Sequence, residues 1–125
     1  MLAGLANAVK EALGEGYAGL WASGDMLWEF GSEKNLSKLL AYEIGLEELM
    51  RSQPALCGNC QYHLDVLPVE AVQVALYTHE AVCINEMLAR LNPHYDKPRT
   101  LRCDPSRPAA EQVMQMLQQL PPPCV

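Results

Sequence analysis

The stretch Tyr17-Ala-Gly-Leu-Trp-Ala22, with its counterpart Ala55-Leu-Cys-Gly-Asn-Cys-Gln-Tyr62, decides the fold. The first stretch is short and apolar, and the turn-like residues Ser23-Gly24-Asp25 follow it. Polar and apolar residues do not alternate in it, which is typical of a parallel strand covered on both faces. The second stretch is another strand candidate, with a bulge expected at Gly58. A helical segment between the two strands makes this region a βαβ unit.

Apolar residues at helical spacing precede and separate these strands. Residues three and four apart form one face over 2–13 and predict a first helix, which Gly14 and Gly16 end. Asn35 is suited to cap the start of a second helix that runs to Met50. Both helices therefore have an apolar side to pack on the sheet.

The second half of the chain continues the alternation. Pro68 suits the first turn of a third helix, whose helical character fades near His79. Residues 81–84 are apolar and β-branched and predict a third strand, and residues 85–95 read as a helical turn or loop. After a proline-rich loop, helical spacing returns over 109–120.

Helices that alternate with short strands predict an α/β fold with a small, mostly parallel sheet flanked by helices. We expect one domain over 1–120 and a flexible tail over 121–125. A sheet of three strands has at least one open edge. Another strand, another chain or a missing half of the domain is expected to cover it.

Composition narrows the classes of protein. The chain has 125 residues, a formal net charge of −6 and a pI near 4.9. Acidic surfaces repel phosphate backbones and anionic membranes, so we expect neither nucleic acid nor a membrane as a partner. The N-terminus carries Lys10 and Glu11 within a helical pattern, unlike a signal peptide. Five cysteines, an odd number, fit free thiols in a reducing compartment, so a cytoplasmic protein is expected.

Several ordered motifs stand outside the helical and strand patterns. They are Ser23-Gly24-Asp25-Met26-Leu27-Trp28-Glu29-Phe30-Gly31, Tyr42-Glu43, Cys60-Gln61-Tyr62-His63, Thr78-His79, Ile84-Asn85-Glu86 and Asn92-Pro93-His94-Tyr95. In this order and at these distances they resemble the MEDS family, the sensory domain of methanogens and methylotrophs that is also called the DcmR-like sensory domain. The resemblance runs from about Gly16 to Pro98.

The resemblance implies a non-catalytic sensor, found alone or fused to histidine kinases and transcription regulators. It implies a response to small organic molecules such as simple hydrocarbon derivatives. The implied fold resembles part of the RecA/KaiC-type α/β core, without a working nucleotide site. Domains of this family usually have a further N-terminal half, so this chain is expected to be the C-terminal portion of the domain. Many members also carry a basic residue where Trp21 stands here.

A ligand site is expected at the carboxyl ends of the strands, where parallel α/β sheets bind their ligands. If the three strands are neighbours, the polar residues that follow them converge there. With those implied by the resemblance, the expected ligand-binding residues are Asp25, Trp28, Glu43, Tyr62, His63, His79 and Asn85. Such a group suits a mostly apolar pocket with a few polar anchors. Alternatively, Trp28 and Tyr62 are core residues whose polar tips are hydrogen-bonded.

Glu43 lies in the middle of the second helix, among leucines. A buried carboxylate without a partner is costly. Glu43 is therefore expected either to face solvent or to meet His63, His79 or a loop N–H at the edge of the sheet.

Cys57 and Cys60 have the spacing of a redox or metal motif. A thioredoxin-type motif opens a helix after a strand, whereas this pair lies within or before a strand. Zinc would need two further ligands, so we expect no metal, no cofactor and buried, inert thiols. His63 and His79 are candidate acid–base groups. Neither a nucleophile motif nor a phosphate loop accompanies them, so an enzyme is not expected.

These observations lead to one hypothesis and two alternatives. The hypothesis is a non-catalytic signal-transduction domain that binds a small, largely apolar organic molecule and signals to a protein partner. The first alternative is an interaction module that completes its sheet by homo-oligomerisation, for example as a homodimer. The second alternative is a metal or redox site at Cys57 and Cys60.

Overall fold

Helices and short strands alternate along the chain. The computed structural model describes residues 1–84, 88–95 and 106–122. Its elements are α1 (Leu2–Gly14), β1 (Leu20–Asp25), α2 (Met26–Phe30), α3 (Leu36–Ser52), β2 (Leu56–Gln61), α4 (Val69–Thr78), β3 (Ala81–Ile84), β4 (Leu88–Leu91) and α5 (Ala109–Gln118). The α/β fold class is confirmed.

Contacts divide the chain into two compact units, an N-terminal unit Met1–His63 and a C-terminal unit Leu64–Val125. The expectation of one domain over 1–120 stays a prediction. The expected tail, 121–125, falls for its last three residues outside the described part of the chain.

The N-terminal unit is built on a parallel pair of strands. β1 and β2 are in register from Leu20 opposite Leu56 to Asp25 opposite Gln61. Helices α1 and α2 both pack on α3, and α1 also contacts β1. The expected βαβ unit is therefore present, with α2 and α3 in the connection between the strands.

The two faces of this pair differ in exposure. Successive side chains of a strand point to opposite faces, and here every second residue is exposed. The exposed side chains form the outer face, made of Trp21, Ser23, Asp25, Cys57, Asn59 and Gln61. The inner face is made of Leu20, Ala22, Gly24, Leu56, Gly58 and Cys60. The expectation that both faces are covered was wrong for these residues.

The bounds of β1 also differ from the sequence prediction. The strand begins at Leu20, three residues later than expected, and it includes Ser23-Gly24-Asp25, which read as a turn. These residues pair in register with β2, and Ser23 and Asp25 point to the exposed outer face. Polar residues on one solvent-facing side of a strand resemble a turn in sequence, which explains the error.

The bulge expected at Gly58 is absent, since Gly58 pairs in unbroken register with Ala22. The close approach of the two strands explains instead why glycine occupies position 58. A Cβ at Gly58 would collide with the backbone carbonyl oxygen of Ala22. The strands therefore approach closely enough that only glycine fits at this position.

Local signals set the end of α1 and the start of α3 as predicted. Gly16 follows α1 with a φ of 92°, in the left-handed region that glycine adopts without strain. The Asn35 side chain accepts a hydrogen bond of 3.0 Å from the backbone N–H of Lys38 and so caps α3. α3 continues to Ser52, two residues beyond its predicted end at Met50.

The C-terminal unit has its own apolar core between α4 and α5. Four buried residues form it: Val72, Leu76, Val113 and Met116. Both helices lie close to their predicted positions, with α4 ending at Thr78 and α5 starting at Ala109. In the described part of the chain, no helix has both the length and the hydropathy that crossing a membrane requires.

Asn92 holds the end of α4 in this unit. Its side-chain Nδ2 donates to the carbonyl oxygens of Leu76 and His79, both at 2.6 Å. These are carbonyls that the end of a helix leaves without helical partners. The imidazole Nε2 of His94 lies 2.7 Å from the carbonyl oxygen of Met116 and ties the same loop to α5.

The third strand has a different neighbour from the one expected. β3 lies at 81–84 as predicted, but it pairs antiparallel with β4 in a separate sheet of two strands. The interpretation of 85–95 as a helical turn or loop was wrong for Leu88–Leu91, which is β4. Consecutive strands pair as hairpins more readily than they join a distant parallel sheet, and the apolar residues of this segment also fit a helix.

We expect Gly58→Ala to lower the free energy of unfolding by about 1–3 kcal/mol, because an added methyl group overpacks the contact with the Ala22 carbonyl. Gly4→Ala is the matched control, since a Cβ at Gly4 meets nothing within 4 Å. Alanine in place of that exposed helical glycine should be neutral or stabilising by up to about 1 kcal/mol. Urea denaturation of both variants tests this, and equal effects would contradict the close approach of β1 and β2.

Candidate functional site

A buried carboxylate lies on α3 of the N-terminal unit. Glu43 on α3 has only 2 % of its surface exposed. It follows Leu39 by four residues and precedes Leu46 by three, so all three lie on one face of the helix, and all three are buried. The helix therefore places a charge-bearing group within its apolar stripe. Such a group is stable only when nearby donors compensate for the lost water.

Strand β2 and the residue after it supply two donors. The Tyr62 hydroxyl donates a hydrogen bond to Oε1 of Glu43. The Cys60 thiol donates to Oε2 of the same carboxylate, with a distance of 3.4 Å between sulfur and oxygen. Cys60 and Tyr62 are two residues apart along an extended chain, so both point to the inner side. We call Glu43, Cys60 and Tyr62 the Glu43 cluster.

Electrostatics keeps both donors of the cluster protonated. Burial raises the pKa of the Tyr62 phenol far above its ordinary value, and the Glu43 charge and hydrogen bond raise it further. The same causes, in the same order, raise the pKa of the Cys60 thiol. Ionisation of either group would place a second negative charge beside the carboxylate in a site with little water. Cys60 is therefore a hydrogen-bond donor here and not a reactive thiolate.

A second group of expected residues lies at the carboxyl ends of β1 and β2. Asp25 is the last residue of β1, and its Oδ1 accepts a hydrogen bond of 2.9 Å from the N–H of Leu27, which caps α2. Its Oδ2 lies 3.4 Å from Nε2 of His63. Both side chains are about half exposed, so the pair contributes little stability. It does link the end of β1, the start of α2 and the chain after β2.

The remaining expected residues lie on other elements. Trp28 on α2 is 71 % exposed, which contradicts the alternative that its ring is a core residue. His79 ends α4 in the C-terminal unit, with Nδ1 at 2.9 Å from the carbonyl oxygen of Ala75. Asn85, together with Glu86, lies outside the described residues. Within the N-terminal unit, the structure thus brings Glu43 together with Tyr62, and Asp25 together with His63.

The structure decides between the alternatives for Glu43. The carboxylate is buried, so the solvent-facing alternative was wrong. The expected contact candidates were His63, His79 and a loop N–H, and Tyr62 and Cys60 were missed as donors. The sequence did contain a signal for them, since a thiol and a phenol two residues apart at the end of a strand share one side.

Cys57 and Cys60 do not face each other. They are three residues apart in an extended strand, so Cys57 points to the exposed outer face and Cys60 to the inner face. Three residues of strand span about 10 Å, which exceeds the Cα separation of a disulfide. Cys57, Cys60 and Cys83 are all free thiols, but Cys57 and Cys83 are exposed, so the expectation of buried thiols was wrong for these two. While β2 is formed, Cys57 and Cys60 cannot ligate one ion or form one disulfide.

We expect the free energy of unfolding to fall as the pH rises above about 9–10, and to fall less in Tyr62→Phe. The unfolded chain loses the Cys60 and Tyr62 protons near the ordinary pKa values of 9.0 and 10.0, whereas the folded chain keeps them. The folded state then binds more protons, so raising the pH favours unfolding. Below these values both groups are protonated in both states, and their contribution is constant.

Urea melts between neutral and alkaline pH measure this effect. Tyr17→Phe is the control. Tyr17 is exposed, so this substitution removes a phenol outside the cluster. At neutral pH, Tyr62→Phe should also cost about 1.5–3 kcal/mol, the range for a hydrogen bond to a charged group. The same alkaline slope in both variants would show that Tyr62 does not hold its proton against Glu43.

We expect iodoacetamide to alkylate Cys57 and Cys83 faster than Cys60 in the folded protein. Cys57 and Cys83 are exposed, whereas Cys60 is partly buried with a raised pKa. Peptide mass spectrometry over a time course gives the rate at each cysteine, and the same reaction in guanidinium is the control that should equalise them. Equal rates for Cys57 and Cys60 in the folded protein would contradict the donor role of Cys60.

Comparison with known proteins identifies the family. The family model described as MEDS, the methanogen/methylotroph, DcmR sensory domain, matches residues 1–80. No curated protein and no solved structure matches the chain. The match includes the whole N-terminal unit with the Glu43 cluster, and it stops before the motif at Asn92–Tyr95. Since it covers more than half of the chain, this protein belongs to the MEDS family of sensory domains.

Proposed function

We propose that this chain is a cytoplasmic, non-catalytic sensory domain that binds a small, largely apolar organic molecule at the Glu43 cluster and signals to a protein partner. The family consists of sensory domains, which supports a signalling role and favours a non-enzymatic one. The free thiols of Cys57, Cys60 and Cys83 fit a reducing compartment. The observation that carries the proposal is the buried carboxylate of Glu43, held by donors from a different element.

The cluster suits recognition because its hydrogen bonds can be exchanged. Both Tyr62 and Cys60 donate to the carboxylate, so a ligand hydroxyl or amine can replace either donor without leaving the charge unpaired. A ligand without a donor would leave the buried carboxylate poorly compensated. The site is therefore expected to select molecules that carry one donor group on an apolar body.

The rest of the unit favours an apolar body. Its other buried hydrophobic residues come from α1, α2, α3 and β2, and they are Val9, Met26, Phe30, Leu39, Leu46 and Leu56. Removing apolar surface from water provides most of the binding free energy for such a ligand. The single carboxylate then sets orientation and specificity, as a few polar groups do in most small-molecule sites.

The signal is proposed to leave through the segment that follows β1. Asp25 both caps α2 and pairs with His63, one residue after Tyr62. A ligand that displaces Tyr62 would disturb this pair and with it the start of α2. Trp28 and Leu27 on α2 are exposed and are suited to contact a protein partner.

A thermal-shift screen tests the proposal with short-chain alcohols and amines, each paired with the alkane or ether of the same size. We expect some donor-bearing compounds to raise the melting temperature and the paired compounds to have no effect. A ligand at 100 times its Kd adds about 2.7 kcal/mol to the free energy of unfolding. Trp28 fluorescence provides a second readout, with Trp21→Phe used to isolate its signal.

Glu43→Gln is the diagnostic variant, and Glu48→Gln is its control, because Glu48 is an exposed residue of the same helix. The amide keeps the size of the side chain but removes the charge, so the shift should disappear in Glu43→Gln and persist in Glu48→Gln. A panel without any shift, or shifts that survive in a folded Glu43→Gln protein, would overturn the proposal.

A further inference from the structure

The inner face of β1 has a glycine that the backbone does not require. Gly24 has no positive φ. Among the described residues, the one atom that a Cβ at Gly24 would meet within 4 Å, its chain neighbours aside, is Cε of Met26, at 2.8 Å. Gly58 differs, because there a backbone carbonyl oxygen blocks a Cβ. The missing side chain at Gly24 therefore makes room for the tip of a flexible side chain.

This tip lies beside the Glu43 cluster. A Cβ marks the face to which a strand residue directs its side chain, so Cε of Met26 is on the inner face at Gly24. Gly24 is opposite Cys60 in the register, at the strand spacing of about 4.8 Å. From the same face the Cys60 thiol donates to Glu43. Met26 is 2 % exposed, so its terminal methyl group fills buried space next to the cluster.

We propose that Met26 covers the Glu43 cluster and that the apolar body of the ligand takes the place of its side chain. Met26 then sets the length of the molecules that the site accepts. This inference rests on the ligand site proposed above. Methionine suits the role because its unbranched side chain repacks easily and is common at adaptable binding surfaces. A side chain branched at Cβ is stiffer and would vacate the same space less readily.

The position of Met26 in the chain would also link the ligand to α2. Met26 is the first residue of that helix, directly after Asp25, which caps it. Met26 and Phe30 are both buried and anchor α2, which packs on α3. Displacing the Met26 side chain would remove one of these anchors from the helix that carries the exposed Trp28.

Alkylation of Cys60 tests the cover without any ligand. In Met26→Ala we expect iodoacetamide to modify Cys60 severalfold faster than in the wild type, because the thiol becomes accessible from the vacated space. Val9→Ala is the matched control, since Val9 is fully buried in the same unit but lies on α1. Cys57 is exposed and serves as the internal standard. Equal Cys60 rates in the two variants would overturn the inference.

Straight-chain primary alcohols and amines, from the ethyl to the n-octyl compound, test the effect on ligand length. Isothermal titration calorimetry gives the Kd of each compound. In Met26→Ala the affinity should rise by about fourfold for each added methylene, the value of burying that group, up to the length of the removed Cγ, Sδ and Cε. Val9→Ala should keep the length preference of the wild type. Alkanes that gain as much as the alcohols would indicate ordinary cavity binding and would overturn the inference.

Gly24→Ala tests the same space without creating a cavity. The added methyl group takes room beside Cys60 and meets only the flexible tip of Met26, so the longest compound that the wild type binds should lose about fourfold or more in affinity. Gly45→Ala is the matched control, because its Cβ meets the tip of Leu2 at 2.7 Å, away from the strands. Unchanged affinities in Gly24→Ala would contradict the proposed place of the ligand body.

The two kinds of measurement separate this inference from the proposed function. If no alcohol or amine binds any variant while Cys60 becomes reactive in Met26→Ala, the proposed function fails and the ligand part of the inference fails with it. If compounds bind but Met26→Ala alters neither the length preference nor the Cys60 rate, the inference alone is refuted.

Discussion

The N-terminal unit depends on how a charge is accommodated between α3 and β2. Glu43 lies on the same buried face of α3 as Leu39 and Leu46, where a hydrocarbon side chain would be expected. A leucine there would pack without any polar partner. The carboxylate instead ties the helix to specific donors on the strand, Tyr62 and Cys60. A buried charge of this kind is weak evidence for stability, since similar hydrophobic packing is often equally stable. Its presence fits the recognition role proposed for the Glu43 cluster.

The same constraint accounts for the chemistry of the neighbouring groups. A phenol and a thiol beside a buried anion remain neutral, so neither acts as a nucleophile or a base in this state. The two cysteines of the Cys57–Cys60 motif consequently differ in character. Cys60 donates a hydrogen bond to the carboxylate, whereas Cys57 lies on the exposed outer face of the sheet.

Local signals made much of the fold predictable. The asparagine cap at Asn35, the glycine after α1 and the proline before α4 act on residues next to them in the chain, so the sequence located these helix ends closely. Strand pairing depends on distant residues, and there the sequence was less informative. The in-register pairing of Gly58 with Ala22 follows from tertiary contacts that no local pattern encodes. The antiparallel pairing of β3 with β4 is local, but the apolar residues of this segment fit a helix as well as a strand. Of the Glu43 cluster, the sequence singled out Glu43 and Tyr62 as candidates but not Cys60, because the spacing of Cys57 and Cys60 suggests a metal site rather than a hydrogen bond.

The position of Tyr62 in the chain has a mechanical consequence. The N-terminal unit ends at His63, so the hydroxyl that holds the buried carboxylate belongs to the penultimate residue of that unit. Any shift of the Tyr62 backbone is passed through one peptide to His63 and then to Leu64, where the next unit starts. A ligand bound at the Glu43 cluster, as proposed above, would therefore act on the direction in which the polypeptide leaves the unit without a separate relay.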